Sequence, residues 1–201
     1  EKDDLVSEVL ADNSTRRRKQ KKLDIRVIVG NPPYSVGQSN ANDNNANVSY
    51  PSLDQSIRDT YAARTTATNK NGLYDSYIRA IRWASDRIGN SGVIGFVSGS
   101  GFVEKQGMNG IRKCLQEEYS SIYVLNLRGD IRKNMLSKGK AKEGQNVFGS
   151  GSMTGIAISI LVKNKSANRA NQIFYCNIGD DLKTDQKLDL LGKFKSINNL
   201  N

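Results

Sequence analysis

Apolar positions recur along this chain with two different periods, and each change of period marks a new element. Residues 24–29 form a β-branched run closed by Gly30, which reads as a buried strand. Residues 93–97, 122–127 and 155–163 are predicted strands too, the last with Ile156, Ile158, Ile160 and Val162 alternating, and 173–176 is a short fifth. Between them, 73–88 lines up Leu73, Tyr77, Ile81, Ala84 and Ile88 on one stripe with Gly89 as the stop, which predicts a helix. Residues 106–119 and 184–194 predict two more helices. A loop of 35–72, crowded with Asn, Ser, Thr and Ala, is long enough to be a functional lid or a disordered segment. Within it, 51–61 places Leu53, Ile57 and Tyr61 on one helical face. Upstream, 1–22 is polar, with a short helix over 3–10. Alternating strands and helices imply an α/β fold with a parallel sheet and right-handed crossovers.

Composition narrows the chemistry. The 201 residues include no histidine, which excludes Ser-His-Asp and Cys-His catalysis and removes the commonest metal ligand. Cys114 and Cys176 stand far apart in apolar contexts, which suits buried thiols in a reducing compartment and makes no metal site. No apolar run reaches the ~20 residues of a membrane span, and the expected location is cytoplasmic. The first residue is Glu1, and a longer parent polypeptide is expected. The net charge of +10 is concentrated in two stretches. Residues 16–22 hold six basic residues in seven, and 128–142 carries a net +5. Such confinement suits a polyanion-facing surface, the alternative being two solvated lysine-rich loops.

The most informative motif is Asn31-Pro32-Pro33-Tyr34, directly after the first strand. The carboxyl end of a buried strand is where open α/β sheets place ligands. Two prolines stiffen the turn and remove two donors, so it presents carbonyl oxygens. Asn31 adds a side-chain acceptor and Tyr34 a flat ring, a combination suited to a planar group bearing an amine. The alternative is a proline-stiffened turn with an ordinary tyrosine.

This tetrapeptide resembles the Asn-Pro-Pro-Tyr motif of the adenine-N6 DNA methyltransferases, which take their methyl group from S-adenosylmethionine. The resemblance implies that Asn31 and Pro32 accept hydrogen bonds from the amino group of a flipped adenine, that Pro33 stiffens the turn and that Tyr34 stacks on the base. Residues 93–102 contain glycines that superficially suit a cofactor loop, but Glu104 comes too soon to serve as its acidic partner. The better reading is the family's later strand-and-turn motif, with Ser98 and Gly99 lining the pocket beside Asn31. Asn146-Val147-Phe148-Gly149 resembles the family segment that supplies a second aromatic. Phe148 would then sandwich the base with Tyr34, a stack worth on the order of 1–3 kcal/mol; the alternative is a core residue covering the sheet edge. Arg128, Arg132 and Lys133, after the third strand, are expected to border the pocket and hold phosphates.

Asp12-Asn13-Ser14, Tyr74-Asp75-Ser76-Tyr77-Ile78-Arg79 and the stretch 148–163 resemble a narrower group, the single-chain type I-like (type ISP) restriction-modification enzymes. Those enzymes join a nuclease, a helicase-like ATPase, a methyltransferase and a DNA-recognition domain. The resemblance runs over most of 12–191. It implies a partial Rossmann-like methyltransferase sheet of mostly parallel strands, the last antiparallel, with helices on both faces. On this reading 1–22 is a polar and basic lead-in, 23–163 the substrate-side half of the catalytic domain, and 164–201 an extension towards a following domain. The donor loop and its acidic hook are expected upstream, so no cofactor-binding residue is assigned and the isolated segment is expected to be inactive. No phosphate-binding glycine-lysine loop occurs, so the ATPase part lies elsewhere in the polypeptide. DNA is the expected partner and S-adenosylmethionine the expected cofactor of the intact protein. Two other readings stay open: a methyltransferase for another planar amine (RNA adenine or protein glutamine), and a non-catalytic basic DNA-binding module.

Overall fold

A computed structural model describes residues 11–33, 49–136, 142–149, 152–164, 166 and 171–197. The predicted helix at 3–10, Tyr34 with the first part of the long loop, and Lys138 and Lys140 lie outside these described residues. Five strands form one sheet: β1 (Val27–Gly30), β2 (Ser91–Gly99), β3 (Ser121–Arg128), β4 (Ile156–Asn164) and β5 (Gln172–Asn177), in the order β1-β2-β4-β3-β5. β1 runs parallel to β2 and β3 parallel to β5, while β4 is antiparallel to both of its neighbours. The sheet is therefore mostly parallel with one inserted antiparallel strand, a partial Rossmann-like arrangement. β5, from the 164–201 stretch, hydrogen-bonds along its length to β3 as part of the same sheet.

Antiparallel partners point to the same side, so the register sorts the two faces. Ile94, Phe96, Ile122, Val124, Ala157 and Leu161 share one face and pack against α3 (Ser76–Arg87) and α5 (Asn109–Glu118) through Tyr77, Ile78, Ile81, Ile111 and Leu115. The other face is covered at one end, where Leu125, Ile156 and Ile158 meet Leu191 and Phe194 of α7 (Thr184–Phe194). Val27 and Val29, on the outer strand, are 62% and 78% exposed, so no described element covers that end of this face.

The predicted 73–88 helix is divided. A short 3₁₀ turn, Asn71–Tyr74, precedes α3, and Asp75 between them is extended at φ −64° and ψ 146°. Asp75 holds the N-cap position, where its carbonyl accepts from the Arg79 N–H at 3.0 Å. The apolar stripe survives the break because Leu73, Tyr77, Ile81, Ala84 and Ile88 are all buried, and Gly89 stops the helix at φ +57°. The helical face expected over 51–61 inside the long loop is present: these residues form α2 (Pro51–Ile57) and a π turn (Arg58–Ala62), with Ile57 and Tyr61 fully buried. Three helices carry too little periodicity to have been expected: α1 (Ala11–Lys22), α4 (Gly101–Glu104) and α6 (Ile131–Leu136). α1 is exposed along its basic stretch, and the Arg87 guanidinium donates to the carbonyls of Gln20 and Lys21 at its end.

Candidate functional site at the strand-end rim

The parallel strands β1, β2 and β3 end on one rim, and the chain segments that leave them carry the candidate residues. Gly30 pairs with Phe96, so Asn31 emerges beside the last residues of β2. Asn31 and Pro33 are exposed and Pro32 is half-buried, so Asn31 is not sealed in the core. Ser98 and Gly99 are buried, and Ser98 itself is fully enclosed on the core side of the sheet beside Ala157. The Ser100 N–H donates to the Gly155 carbonyl at 2.7 Å, which ties the end of β2 to the start of β4. A Cβ at residue 155 would sit 2.6 Å from the Ser100 hydroxyl, so a larger residue there would have to turn the Ser100 side chain aside.

Asn146 joins the remaining rim segments. Its Nδ2 donates to the carbonyls of Gly129 at 3.1 Å and Thr154 at 2.8 Å, and its Oδ1 accepts from the Phe148 N–H at 2.9 Å. Asn146 is buried, whereas Phe148, whose backbone it holds, is 49% exposed. That exposure separates Phe148 from an ordinary core residue.

The basic residues after β3 are surrounded by acids. Arg128, at φ +57°, pairs with Asp180 and lies 3.5 Å from Glu143. Lys133 pairs with Glu104 and lies 3.6 Å from Glu143, and Lys142 lies 3.6 Å from Asp181. Burial works against the Lys133 charge, but Glu104 and Glu143 outweigh it and raise its pKa. Much of the charge counted along 128–142 is thus neutralised by acids that the fold brings from elsewhere. Arg132, on α6, remains exposed.

Four residues that sequence reasoning passed over hold this rim together. Asn126 is fully buried; it donates to Glu104 and, at 3.0 Å, to the Tyr175 hydroxyl, while its Oδ1 accepts from the Arg128 N–H. Glu104 and the buried Glu143 balance the cations. Lys187 is fully buried on α7, and its ammonium donates to the carbonyls of Leu127 at 2.7 Å, Glu143 at 3.1 Å and Gln145 at 2.7 Å. Burial lowers its pKa, against the opposing pull of Glu143. One signal was present: Lys187 lies four and seven residues before Leu191 and Phe194, on the apolar stripe of α7.

A separate cleft, lined by Arg82, Asp86, Glu117, Glu118, Lys163 and Asn171, opens at the opposite edge, where β2 and β3 begin. Arg82 bridges α3 and α5 there through two bonds to Glu118, at 2.7 and 3.0 Å. Among the described residues no cluster of three or more acidic or cysteine side chains could hold a metal ion, and no helix is long and apolar enough to cross a membrane.

Fold and site together define an α/β domain with a candidate rim at the carboxyl ends of its parallel strands, where a proline-stiffened corner follows one strand and a half-exposed phenylalanine stands in the segment between β3 and β4. No family model and no curated protein matches the sequence. Solved structures do, and along this segment the chain resembles the type ISP restriction-modification enzymes. It is 45% identical to LlaBIII, an ATP-dependent type ISP restriction-modification enzyme bound to DNA, with a TM-score of 0.83 over 93% of this chain and 12% of that one. It is 46% identical to a nuclease-deletion mutant of the type ISP enzyme LlaGI in complex with a DNA substrate mimic, with a TM-score of 0.86 over 95% of this chain and 18% of that one. A DrdV–DNA complex matches at 37% identity and a TM-score of 0.77, over 90% of this chain and 17% of that one. The chain therefore spans less than a fifth of the length of the enzymes it matches.

Proposed function

We propose that this chain is the substrate-side part of an adenine-N6 DNA methyltransferase within a restriction-modification polypeptide. The observation that carries the reading is the Asn31-Pro32-Pro33 corner at the end of β1, with Asn31 exposed, on the same rim as Ser98–Ser100 and Phe148. The Asn31 side-chain oxygen and the Pro32 carbonyl accept the two hydrogens of an exocyclic amine. Held in this way, the nitrogen lone pair turns out of conjugation with the ring and becomes the nucleophile. Tyr34 and Phe148 supply flat faces for the extruded base. No residue of this chain is assigned as a general base; the amine proton leaves to water once nitrogen has bonded to carbon.

S-adenosylmethionine supplies the methyl group in the intact protein, but the residues described here do not make a complete site for it. Glycine-rich donor loops pair with an acidic residue for the ribose, and Gly30 is the single glycine in residues 1–30, while Glu104, Glu143 and Asp180 on this rim face the cations Lys133 and Arg128. The donor pocket is assigned to other parts of the polypeptide.

The test is methyl transfer from labelled S-adenosylmethionine to unmethylated duplex DNA by the intact protein, followed by nucleoside analysis. Label should appear as N6-methyladenine, and Asn31→Ala should remove at least about 99% of it, since an acceptor used only as the transition state forms contributes about 3 kcal/mol or more. DNA affinity should stay within about twofold. Label on RNA or on protein glutamine instead of DNA would point to another planar amine. DNA binding without any transfer would leave only a binding module.

A further inference from the structure

Taking the proposed adenine pocket as its basis, we infer that Lys187 is a positioning residue for that pocket, acting through Asn146 on Phe148 from a helix that never reaches the substrate. The ammonium group offers three hydrogens and meets three carbonyl oxygens, so its donor capacity is filled. A charge placed so deeply is costly unless every donor is paired. Greasy neighbours on the same helix stripe, Leu191 and Phe194, show that an apolar side chain would suit the position if packing alone mattered.

What the ammonium joins is informative. Leu127 is near the end of β3, while Glu143 and Gln145 flank Gly144, which turns at φ +67°. A Cβ at residue 144 would lie 2.4 Å from the Leu182 carbonyl, so the turn is pressed against the start of α7. The Gln145 N–H donates to that same carbonyl at 2.9 Å, the Thr184 N–H donates to the Gln145 side chain at 3.1 Å, and the Thr184 hydroxyl donates to the Asn146 carbonyl at 3.0 Å. Asn146 then fixes Gly129, Thr154 and the Phe148 backbone. The side chain of Glu143, held from its own carbonyl by Lys187, balances Arg128 and Lys133. One buried cation therefore sets the relative position of the β3 end, the Phe148 turn and the first residues of β4.

The experiment uses the intact protein with Lys187→Met, Phe148→Ala and the double variant, measured for kcat and KM on unmethylated plasmid DNA. Lys187→Met keeps an unbranched apolar stem of similar length and removes the ammonium. Displacing Phe148 should lower kcat by roughly 10- to 100-fold with little change in KM for the DNA. Because both residues act through one contact, the double variant should be no more than about twofold worse than Phe148→Ala alone. Multiplied losses in the double variant, an unchanged kcat in Lys187→Met, or a normal Phe148→Ala enzyme would each overturn the assignment. If Lys187→Met does not fold, Lys187→Gln, which keeps an amide donor, is judged by the same comparison with Phe148→Ala. A wild-type protein that methylates no DNA adenine would defeat the functional reading and this inference together, whereas an active wild type with multiplied losses defeats this inference alone.

Discussion

Replacing Arg18, Lys21 and Lys22 with glutamine together tests where this protein meets the DNA backbone. The three lie at i, i+3 and i+4 on α1, share one face and are exposed. If each holds one phosphate, their loss should flatten the slope of log K against log salt by about 2.7, which between about 50 and 200 mM salt is roughly a 40-fold change in how far affinity falls. The counterpart is Arg128→Gln with Lys133→Gln on the rim. Those cations face Asp180, Glu104 and Glu143, so few counterions are released when DNA approaches. The paired variant should change the slope by less than about one. Fluorescence anisotropy of the intact protein with a labelled duplex, titrated at four or five salt concentrations, reads both slopes. A slope change below about one for the α1 variant, or above about two for the rim variant, would refute the reasoning that charge balance in the fold decides which basic stretch touches phosphate.

Asn31→Ala should remove nearly all methyl transfer at the reacting corner, and Lys187→Met should lower kcat through its support, both read in the methylation assay. Stability gives two more outcomes. Arg82 is buried between Asp86 and Glu118 with its guanidinium 5.3 Å from the Tyr61 ring, and Arg82→Ala should destabilise the chain by about 3–5 kcal/mol in urea unfolding, because the Glu118 side chain is left without its partner. A loss below about 1 kcal/mol would show the pair to be dispensable. Burial by itself would raise the Asp54 pKa, but two bonds from Arg79 and one from the Tyr50 N–H outweigh it and hold the carboxyl below its ordinary value of 3.8. A lowered folded-state pKa means stability present above that ordinary value and lost as pH falls through the lowered one. Arg79→Met should therefore flatten the acid limb of the stability profile, and an unchanged limb would count against the pair.

All five strands were legible because β-branched and aromatic runs favour extended, ladder-forming backbone, although the burial expected for the first strand is not met: Val27 and Val29 of β1 are exposed. The α3 stripe was legible for the same kind of reason: Leu73, Tyr77, Ile81, Ala84 and Ile88 point one way whether or not Asp75 breaks the helix. Boundaries fared worse where a polar residue stops a helix that apolar spacing would continue, as Asp75 does. α1 carries almost no apolar face, so periodicity has nothing to report there. Its helical form became visible only with the backbone in place and the Arg87 contacts at its end.

The candidate corner follows from local chemistry alone, since prolines at 32 and 33 stiffen a turn wherever they stand, and a strand directly before them fixes which end of the sheet they occupy. Neither the order of the strands nor the fate of the charges has a local cause. The apparent net charge of 128–142 counted only neighbours in sequence, while Glu104 and Asp180 arrive from more than twenty residues away on either side. Lys187 shows the same limit most sharply. A lysine is soluble in every short peptide that contains it, and only a closed packing of β3, the Glu143–Gln145 turn and α7 could surround its ammonium with three carbonyls. Covalent neighbours dictate stiffness and periodicity; electrostatic environment belongs to whatever the folded chain brings within a few ångströms.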